Sequence, residues 1–279
     1  MSWHEFHHEA MATTFALHCA DQPADYARQA AGAAWRELDR LESELSRFVE
    51  SSDIARANRL ARGETLALGE DALQCLLLAA GVTVATGGAF DAAYASAGAD
   101  HGPPFTLDPE NHTLTAQATR LHLDLGAIGK GYALDRLAAV LREWQVDRAC
   151  LHSGGSTVLA LDAPAGTEGW PVGLGEGADH RRLALGTAAL SGSGTAVKGA
   201  HLIDPRTGTP ATRTARAWAL APTAALADAL STAFFVLPDA GIASFCAAHP
   251  EIGAAVATDS GPLAVFGTLA DGSPPAKFS

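Results

Sequence analysis

The feature that most constrains this chain is the stretch LDLGAIGKGYALD at residues 123–135, which changes from a strand pattern to a helix pattern across three glycines. Leucines alternate with Asp124 before the break, and apolar residues recur at helical spacing from Gly129 onward. A helix that starts directly after such a turn leaves its first backbone N–H groups free, at the positive end of the helix dipole. The stretch therefore predicts an anion-binding turn to which Lys130 adds a positive charge.

The spacing of this stretch differs from two familiar phosphate-binding motifs. Only two residues separate its first two glycines, and glycine rather than Ser or Thr follows the lysine, so it is neither a Walker loop nor a GxGxxG fingerprint. Taken alone, it fits a tight turn with packing glycines equally well. Asp124 lies among apolar residues, where a carboxylate needs a partner such as a ligand hydroxyl or amide. We expect Asp135, at the other end, to be solvated or locally paired.

Composition favours a folded chain and disfavours nucleic acid as a partner. At 279 residues, with 48% hydrophobic and 18% charged residues, the chain can bury a sizeable core in one large domain or two modest ones. Non-specific nucleic-acid binding needs an excess of Lys and Arg, whereas the formal net charge here is -12. Any phosphate that binds must therefore meet local donors or a metal ion.

The cysteines and the N-terminus indicate a compartment. Four cysteines are scattered without a CxxC pair, which we interpret as reduced core thiols. The opening MSWHEFHHEAMATTF lacks a basic segment followed by an apolar stretch, and no cysteine lies where a lipoprotein signal needs one. The longest weakly polar run, 76–90, is shorter than the roughly 20 residues of a spanning helix. We expect no membrane span and a cytoplasmic location, or a periplasmic one if a signal has been removed.

Three histidines near the N-terminus, His4, His7 and His8, are a candidate metal cluster. Metal ligands need a rigid scaffold, and chain ends are often poorly ordered. We therefore expect a frayed polar terminus rather than a metal site.

Hydrophobic spacing predicts strands in runs with helices inserted between them, which is typical of an α+β fold. Predicted helices cover 24–48, 71–86, 129–144, 223–236 and 239–249. Predicted strands cover 11–19, 65–68, 149–161, 170–174, 182–185, 188–191, 215–221, 254–258 and 263–268. Residues 98–109 are predicted to be a surface loop, and a strand is expected on each side of a turn at Gln117–Ala118. We find no internal repeat.

The stretch HLIDPRTGTP at 201–210 combines a titratable group with turn residues. His201 is a candidate proton acceptor, because imidazole titrates near neutrality. Asp204 begins a rigid Asp-Pro turn. A plain turn after an edge strand explains the same residues when they are taken alone.

The stretch ADALSTAFF places Asp228 and Thr232 four residues apart, on one face of a helix. A carboxylate and a hydroxyl are the hard oxygen ligands that suit Mg²⁺. Ser231 is turned about a hundred degrees away from Thr232 on an ideal helix. The alternative is a helix-start Asp and a Thr bonded to its own backbone. Glycines at 87–88 and 154–155 permit close approach of a ligand, or simply form turns.

These motifs, taken in chain order, resemble the ApbE-type FAD:protein FMN transferases. The resemblance rests on MATTF, LSRF with SSDIARAN, GGAFD, DLGAIGKGYALD, SGG, LSGSG, HLIDPRTGTP and ADALST, and it runs from Met11 to about Leu237. It implies a T-fold-like α+β core of antiparallel strands with packed helices, in a single domain over 1–279 with room for two sub-lobes. It also implies Mg²⁺-dependent transfer of FMN from FAD to a Ser or Thr hydroxyl of a client flavoprotein, with release of AMP.

The resemblance further implies roles for individual residues. Asp228, Thr232 and the backbone carbonyl of Ala127 are expected to ligate Mg²⁺. His201, as the candidate base, and Asp204 are expected beside the acceptor hydroxyl. The expected FAD contacts are Met11, Phe48, Ala89, Phe90, Asp91, Asp124, Lys130, Gly154, Gly155 and His201.

The chain departs from the family pattern at four positions. Ala12 and Ala200 replace a glycine and an aromatic residue, Gly129 replaces an alanine, and Ser156 stands where an aspartate often follows the double glycine. Two alternatives stay open: an FAD-binding or carrier protein that transfers nothing, and an FAD pyrophosphatase that yields FMN and AMP. The stretch LSGSGT at 190–195 is loosely similar to the Ser-Gly-Ala-Thr of acceptor proteins, so self-flavinylation is a further, less favoured hypothesis.

Overall fold

A computed structural model describes residues 3–99, 102–175, 180–194, 202–258 and 262–270 of the chain. Its helices are α1 (Ala24–Leu45), α2 (Asp53–Ala57), α3 (Glu70–Ala85), α4 (Gly129–Glu143), α5 (Ala224–Val236) and α6 (Asp239–Ala248). Its strands are β1 (Trp3–Ala10), β2 (Thr13–Ala20), β3 (Thr65–Ala67), β4 (Phe105–Asp108), β5 (Thr113–Ala116), β6 (Ala149–Ser153), β7 (Thr157–Ala160), β8 (Trp170–Leu174), β9 (Arg181–Leu185), β10 (Ala188–Gly194), β11 (Ile203–Asp204), β12 (Thr209–Pro210), β13 (Arg216–Ala221), β14 (Gly253–Ala257) and β15 (Ala264–Gly267). None of the described helices is both long and apolar enough to cross a bilayer.

The largest sheet in the described part of the chain has the strand order β1-β2-β6-β7-β10-β13-β14-β15. Every neighbouring pair in it is antiparallel. Smaller antiparallel sheets are formed by β3-β5-β4, by β8-β9 and by β11-β12. The predicted α+β class with antiparallel strands is confirmed.

The main core lies between this sheet and the helices that cover one of its faces. α1 packs against β1, α4 against β6 and β7, and α5 against β10 and β13. α1 buries a single stripe at helical spacing that includes Ala27, Ala34 and Leu41. α5 is buried nearly all round, because ten of its thirteen residues are Ala, Leu, Phe or Val. The three polar residues of α5 are Asp228, Ser231 and Thr232, and they need a structural or functional explanation.

A second core lies on the opposite face of the same sheet. The β8–β9 hairpin covers this face, and its Trp170 is 2% exposed among residues such as Cys150, Leu190 and Leu220. Alternation along β10 sends Leu190 to this core and Ser191 toward α5. All four cysteines are buried and free of disulfides in the described chain, as expected.

The expected frayed N-terminus is wrong, because β1 pairs with β2 over its whole length, from Trp3 opposite Ala20 to Ala10 opposite Thr13. β1 is an edge strand in which exposed and half-buried residues alternate. Because polar residues occur on both of its faces, this period of two does not appear as an alternation of hydrophobic and polar residues in the sequence. The ring of His4 contacts the carbonyl of Gln22 at 3.0 Å, and the ring of His8 contacts Asp39 Oδ1 at 2.6 Å.

Several predicted boundaries are also wrong. α1 ends at Leu45 rather than 48, β4 lies inside the predicted loop at 98–109, and the predicted strand over 149–161 is the β6–β7 hairpin. α2, which Ser52 caps by accepting the N–H of Ala55, was missed. The predicted strand after Gln117–Ala118 is irregular chain with an isolated bridge between Arg120 and Ala97.

The segment before α4 is extended without a strand partner because a side chain takes that partner's place. The Asn58 amide donates to the carbonyl of Leu123 at 2.9 Å and accepts the Leu123 N–H at 2.6 Å. The next N–H, that of Asp124, donates to the carbonyl of Ala92 at 2.8 Å. These bonds satisfy the backbone groups that a neighbouring strand would otherwise pair.

Candidate active site

The N-termini of α4 and α5 meet at a close contact that depends on glycine. A Cβ at Gly131 would overlap the carbonyl oxygen of Ala224, which is backbone and cannot swing away. One turn further along α4, the Asp135 carboxylate accepts the N–H groups of Ala224 at 2.8 Å and Ala225 at 2.9 Å. Asp135 therefore caps α5 from outside, satisfying two of its free N–H groups.

The expectation that Asp135 is solvated or locally paired is wrong. Its partners lie about ninety residues away along the chain, and burial raises the pKa of its carboxyl to about 6, against the lowering effect of its two hydrogen bonds. Sequence reasoning missed this role because helical spacing within α4 does not show which helix start lies beside it.

Asp228 is the charged residue at the centre of this contact, and it is 4% exposed. Its Oδ2 accepts the N–H of Gly131 at 3.1 Å and lies 3.4 Å from Lys130 Nζ. Its Oδ1 accepts the hydroxyl of Ser191 at 3.4 Å. The fold thus brings together the glycine-rich turn before α4 and α5, the helix on which the sequence predicted metal ligands.

Hydroxyl groups of β10 and α5 lie close to Asp228. Ser193 Oγ lies 3.2 Å from Thr232 Oγ1 and 2.8 Å from Ser231 Oγ. Ser231 and Thr232 are about a hundred degrees apart on an ideal helix, yet both reach the same serine. Sequence reasoning missed that Ser191 and Ser193 lie in this cluster, although their spacing of two in the sequence places them on one face of a strand.

Lys130 connects the turn before α4 to Asp228. Its Nζ donates to the carbonyl of Gly126 at 2.7 Å as well as contacting Asp228. Ala127 follows Gly126 in this turn, so its carbonyl lies in the segment that Lys130 ties to the carboxylate. Asp124 accepts the Gly126 N–H at 2.9 Å and pairs with Arg47 Nε at 3.3 Å. Arg47 was missed as a partner of Asp124, and its signal is the LSRF motif.

Two turns approach each other at the start of β2 and the end of β6. The Met11 N–H donates to Glu42 Oε1 at 2.7 Å, and Met11 has a positive φ of 50°. Gly154 has a φ of 54°, and its N–H donates to the carbonyl of Thr14 at 2.8 Å. A Cβ there would overlap the Thr13 hydroxyl, whereas a Cβ at Gly155 would meet open space.

The remaining predicted FAD contacts differ widely in exposure. Phe48 is 79% exposed, with the Arg47 guanidinium 4.4 Å from its ring centroid. Ala89 and Phe90 are core residues, 0% and 2% exposed. Asp91 is half-buried, accepts the Ala93 N–H at 2.8 Å, and has its pKa raised by burial.

Residues 202–210 form the β11–β12 hairpin, which lies beside the Gly87–Gly88 turn. Gly88 faces Arg206 closely enough that an added Cβ would lie 3.5 Å from its side chain. Arg206 donates to both Asp204 oxygens, at 2.9 and 2.8 Å, and this pairing lowers the pKa of the Asp204 carboxyl. His201 lies outside the described residues, so its predicted role stays a prediction.

The oxygen atoms around Asp228 fit a hard divalent cation. One carboxylate and the hydroxyl groups of Thr232 and Ser193 are the ligand types that Mg²⁺ prefers, and Mg²⁺ commonly keeps waters or phosphate oxygens in its remaining positions. No group of three or more His, Cys, Asp or Glu side chains is placed to hold a metal ion within the described ranges. The arrangement thus suits an ion that is shared with a phosphate ligand rather than one enclosed by protein.

An apolar cavity of about 260 Å³ lies on the far face of α5. Its lining includes Leu226 and Leu230, each two residues from Asp228 and so about 200° around an ideal helix. No Lys or Arg is among the described residues that line it. Its ionisable lining residues are His249 and Glu251, so it has no permanent positive charge for a pyrophosphate, whereas Lys130 lies at the site around Asp228.

Two FAD:protein FMN transferases are similar in sequence to part of this chain. The FAD:protein FMN transferase of Haemophilus influenzae is 30% identical over 149 residues, 47% of this chain and 43% of the relative. That of Escherichia coli K12 is 29% identical over 167 residues, 53% and 45% of the two chains. The matched stretches thus span less than half of these relatives' own length.

Solved structures are similar over nearly the whole chain. The flavin transferase ApbE from Vibrio cholerae has a TM-score of 0.80 at 21% identity, covering 95% of this chain and 97% of that one. The Pseudomonas stutzeri flavinyl transferase ApbE, in its apo form, has a TM-score of 0.82 at 20% identity, covering 97% and 96%. At these identities the likeness establishes the fold. The sequence profile described as the ApbE family matches residues 11–256, and the chain belongs to that family.

Proposed function

We propose that this protein transfers the FMN unit of FAD to a Ser or Thr hydroxyl of a client flavoprotein and releases AMP, with Mg²⁺ as the cofactor. The observation that carries the proposal is the position of Asp228. It is a buried carboxylate on α5 that meets the N-terminus of α4 and Lys130, in a chain of the ApbE family.

Charge supports a metal at this site. A pyrophosphate is an anion and the chain has a net charge of -12, so a metal ion at the site would add to the positive charge of Lys130. Asp228, Thr232 and the Ala127 carbonyl would hold Mg²⁺, which when bound supplies Lewis-acid neutralisation of phosphate charge. Lys130 and the α4 N-terminus add positive potential from the protein itself.

The proposed transfer balances without a further reactant. The client hydroxyl oxygen forms a bond to the riboflavin-side phosphorus, the P–O bond of the pyrophosphate bridge breaks, and AMP leaves with the bridging oxygen. The hydroxyl proton passes to a base. Asp204 is a poor acceptor, because Arg206 lowers its pKa. We assign the proton to His201, and we propose that the Asp204–Arg206 pair fixes the β11–β12 hairpin that follows it.

Asp228→Asn is expected to reduce transfer by at least about 100-fold, because the amide keeps the shape of the side chain but removes the charge that holds the metal. The measurement is AMP release from FAD at saturating Mg²⁺. Asp239→Asn is the matched control, since Asp239 is an exposed carboxylate paired with Arg213 at 2.8 Å on α6. Near-normal turnover of the Asp228 variant in chelated buffer would contradict the proposed mechanism.

The direct test incubates the protein with FAD and Mg²⁺, with and without a peptide bearing Asp-Gly-x-Ser-Gly-Ala-Thr. AMP release and the mass of both peptide and protein are followed. A metal-dependent gain of one FMN unit on the peptide is the expected result. AMP without that gain would favour a pyrophosphatase, a gain on the protein would indicate self-flavinylation, and FAD binding without any release would favour a carrier.

We also propose a cytoplasmic client and location. Support comes from the four buried thiols, which form no disulfide in the described chain and suit a reducing compartment. Fractionation of cells that express the protein from its own gene tests this.

A further inference from the structure

A chain of buried hydroxyl groups leads from the centre of the large sheet to Asp228. Thr157 Oγ1 lies 2.9 Å from Ser191 Oγ, and Ser191 donates to Asp228 Oδ1 at 3.4 Å. Both hydroxyl residues are 0% exposed. Because a carboxylate can only accept, the proton of Ser191 points to Asp228, which leaves Thr157 to donate to Ser191.

The strand register creates this chain. Ser191 on β10 is directly opposite Thr157 on β7, so the two side chains share the sheet face that α5 covers. The α5 residues on either side of Asp228 are Ala227 and Ala229, both fully buried, and Ser231, one turn further along α5, lies with its Oγ 3.4 Å from Ser191 Oγ. A buried carboxylate without fixed donors would be free to rotate or would be costly to ionise.

The two oxygens of Asp228 are held from different sides. Oδ2 faces the Gly131 N–H and Lys130, while Oδ1 faces Ser191. Donors on both oxygens fix the plane of the carboxylate, and hydrogen-bonding partners of a metal-binding carboxylate typically change metal affinity by 10- to 100-fold when removed.

We propose that Ser191 and Thr157 are positioning residues that orient the Asp228 carboxylate for the divalent cation. This inference rests on the proposed function, since it assigns the metal to Asp228. Ser191 acts directly on the carboxylate, and Thr157 acts through Ser191 by fixing the direction of its proton.

The test measures Mg²⁺ binding by isothermal titration calorimetry on the whole chain without FAD. Ser191→Ala is expected to weaken Mg²⁺ affinity about 10-fold, and Thr157→Val to weaken it by a smaller factor in the same direction. Thr157→Ser keeps the hydroxyl and is expected to bind as the unsubstituted protein does. Thr214→Val is the matched control, because the buried Thr214 hydroxyl has no hydrogen-bond partner in the described chain.

The outcomes separate this inference from the proposed function. If the unsubstituted protein binds no Mg²⁺, the metal assignment fails and the inference fails with it. If that protein binds Mg²⁺ while Ser191→Ala and Thr157→Val bind it equally well, only the inference is overturned. A fall in melting temperature with unchanged affinity would mean a purely structural role and would also overturn it. If Ser191→Ala does not fold, Thr157→Val against Thr157→Ser decides alone.

Discussion

At the scale of single residues, the turn between β1 and β2 holds two residues that are not glycine in the left-handed backbone region. Ala12 has a φ of 58°, in the left-handed region that favours glycine. Alanine pays a steric penalty there that glycine avoids, because its Cβ crowds the following carbonyl. The neighbouring Met11 has a similar φ, so the turn holds two such residues in succession.

Ala12→Gly is therefore expected to raise the free energy of unfolding by about 1 kcal/mol, after the larger chain entropy of glycine in the unfolded state is subtracted. Urea denaturation measures the change. Ala61→Gly is the control, since Ala61 is also exposed but is not among the described residues with positive φ. That control should lose stability, and a loss at position 12 as well would show that the left-handed turn carries no strain.

At the scale of elements, the site depends on how closely α4 approaches α5. Gly131 lets the α4 backbone lie against Ala224, and Asp135 fixes the α5 terminus against the same helix. Both contacts lie within one turn or so of Asp228, so the separation of the two helices sets the contact between the Gly131 N–H and the carboxylate. A change in that separation alters stability and the site together.

Gly131→Ala is expected to lower the free energy of unfolding by about 3 kcal/mol, because the new methyl group meets backbone that cannot move without separating the helices. Transfer of FMN should be lost with it. Gly129→Ala is the control: its methyl would lie 3.4 Å from Leu125 Cβ, an ordinary contact, and alanine favours the helix. Thermal denaturation and AMP release are measured on both, and equal behaviour of the two variants would refute the role of close packing.

At the scale of the whole molecule, the two faces of the large sheet respond oppositely to pH. On the face that the β8–β9 hairpin covers, burial lowers the pKa of His18. Burial, together with the nearby His18, lowers the pKa of His152 to about 4. Glu5 and His7 also act on this pair, Glu5 raising the pKa of His18 and His7 lowering it. On the helix-covered face, burial raises the pKa of Asp135 to about 6.

His152 binds fewer protons in the folded state than in the unfolded state between pH 4 and 6.5, and the lowered pKa of His18 acts in the same direction. Their contribution to stability is therefore present above pH 6.5 and is lost as the pH falls toward 4. Asp135 has the opposite sign: its contribution falls as the pH rises from 3.8 to 6. His152→Gln should flatten the loss of stability on the acid side, and Asp135→Asn should steepen it. Urea denaturation from pH 4.5 to 7 measures both slopes, and an unchanged slope in His152→Gln would contradict the assignment.

Much of the fold was predictable because the hydrophobic periods are regular. The stripe of α1, the limits of α4 and the helical pairing of Asp228 with Thr232 follow from a period near 3.6. β1 was not predictable in this way, since an edge strand with polar residues on both faces has too little contrast. The extended segment before α4 misled the prediction because an asparagine side chain, rather than a strand, completes its hydrogen bonds.

By itself the sequence determined the α+β class, the order of the motifs and the chemical types gathered for the site: a lysine in a glycine turn, and a carboxylate and a hydroxyl four residues apart on a helix. These are local properties, set by the spacing of residues within one element. Only the tertiary structure decided that Gly131 donates to Asp228 and that Asp135 caps α5. The hydrogen bonds from Thr157 through Ser191 to the Asp228 carboxylate likewise depend on the tertiary structure. Those contacts join residues about 35 to 100 positions apart, and their geometry is fixed by sheet register and helix separation, which no local pattern encodes.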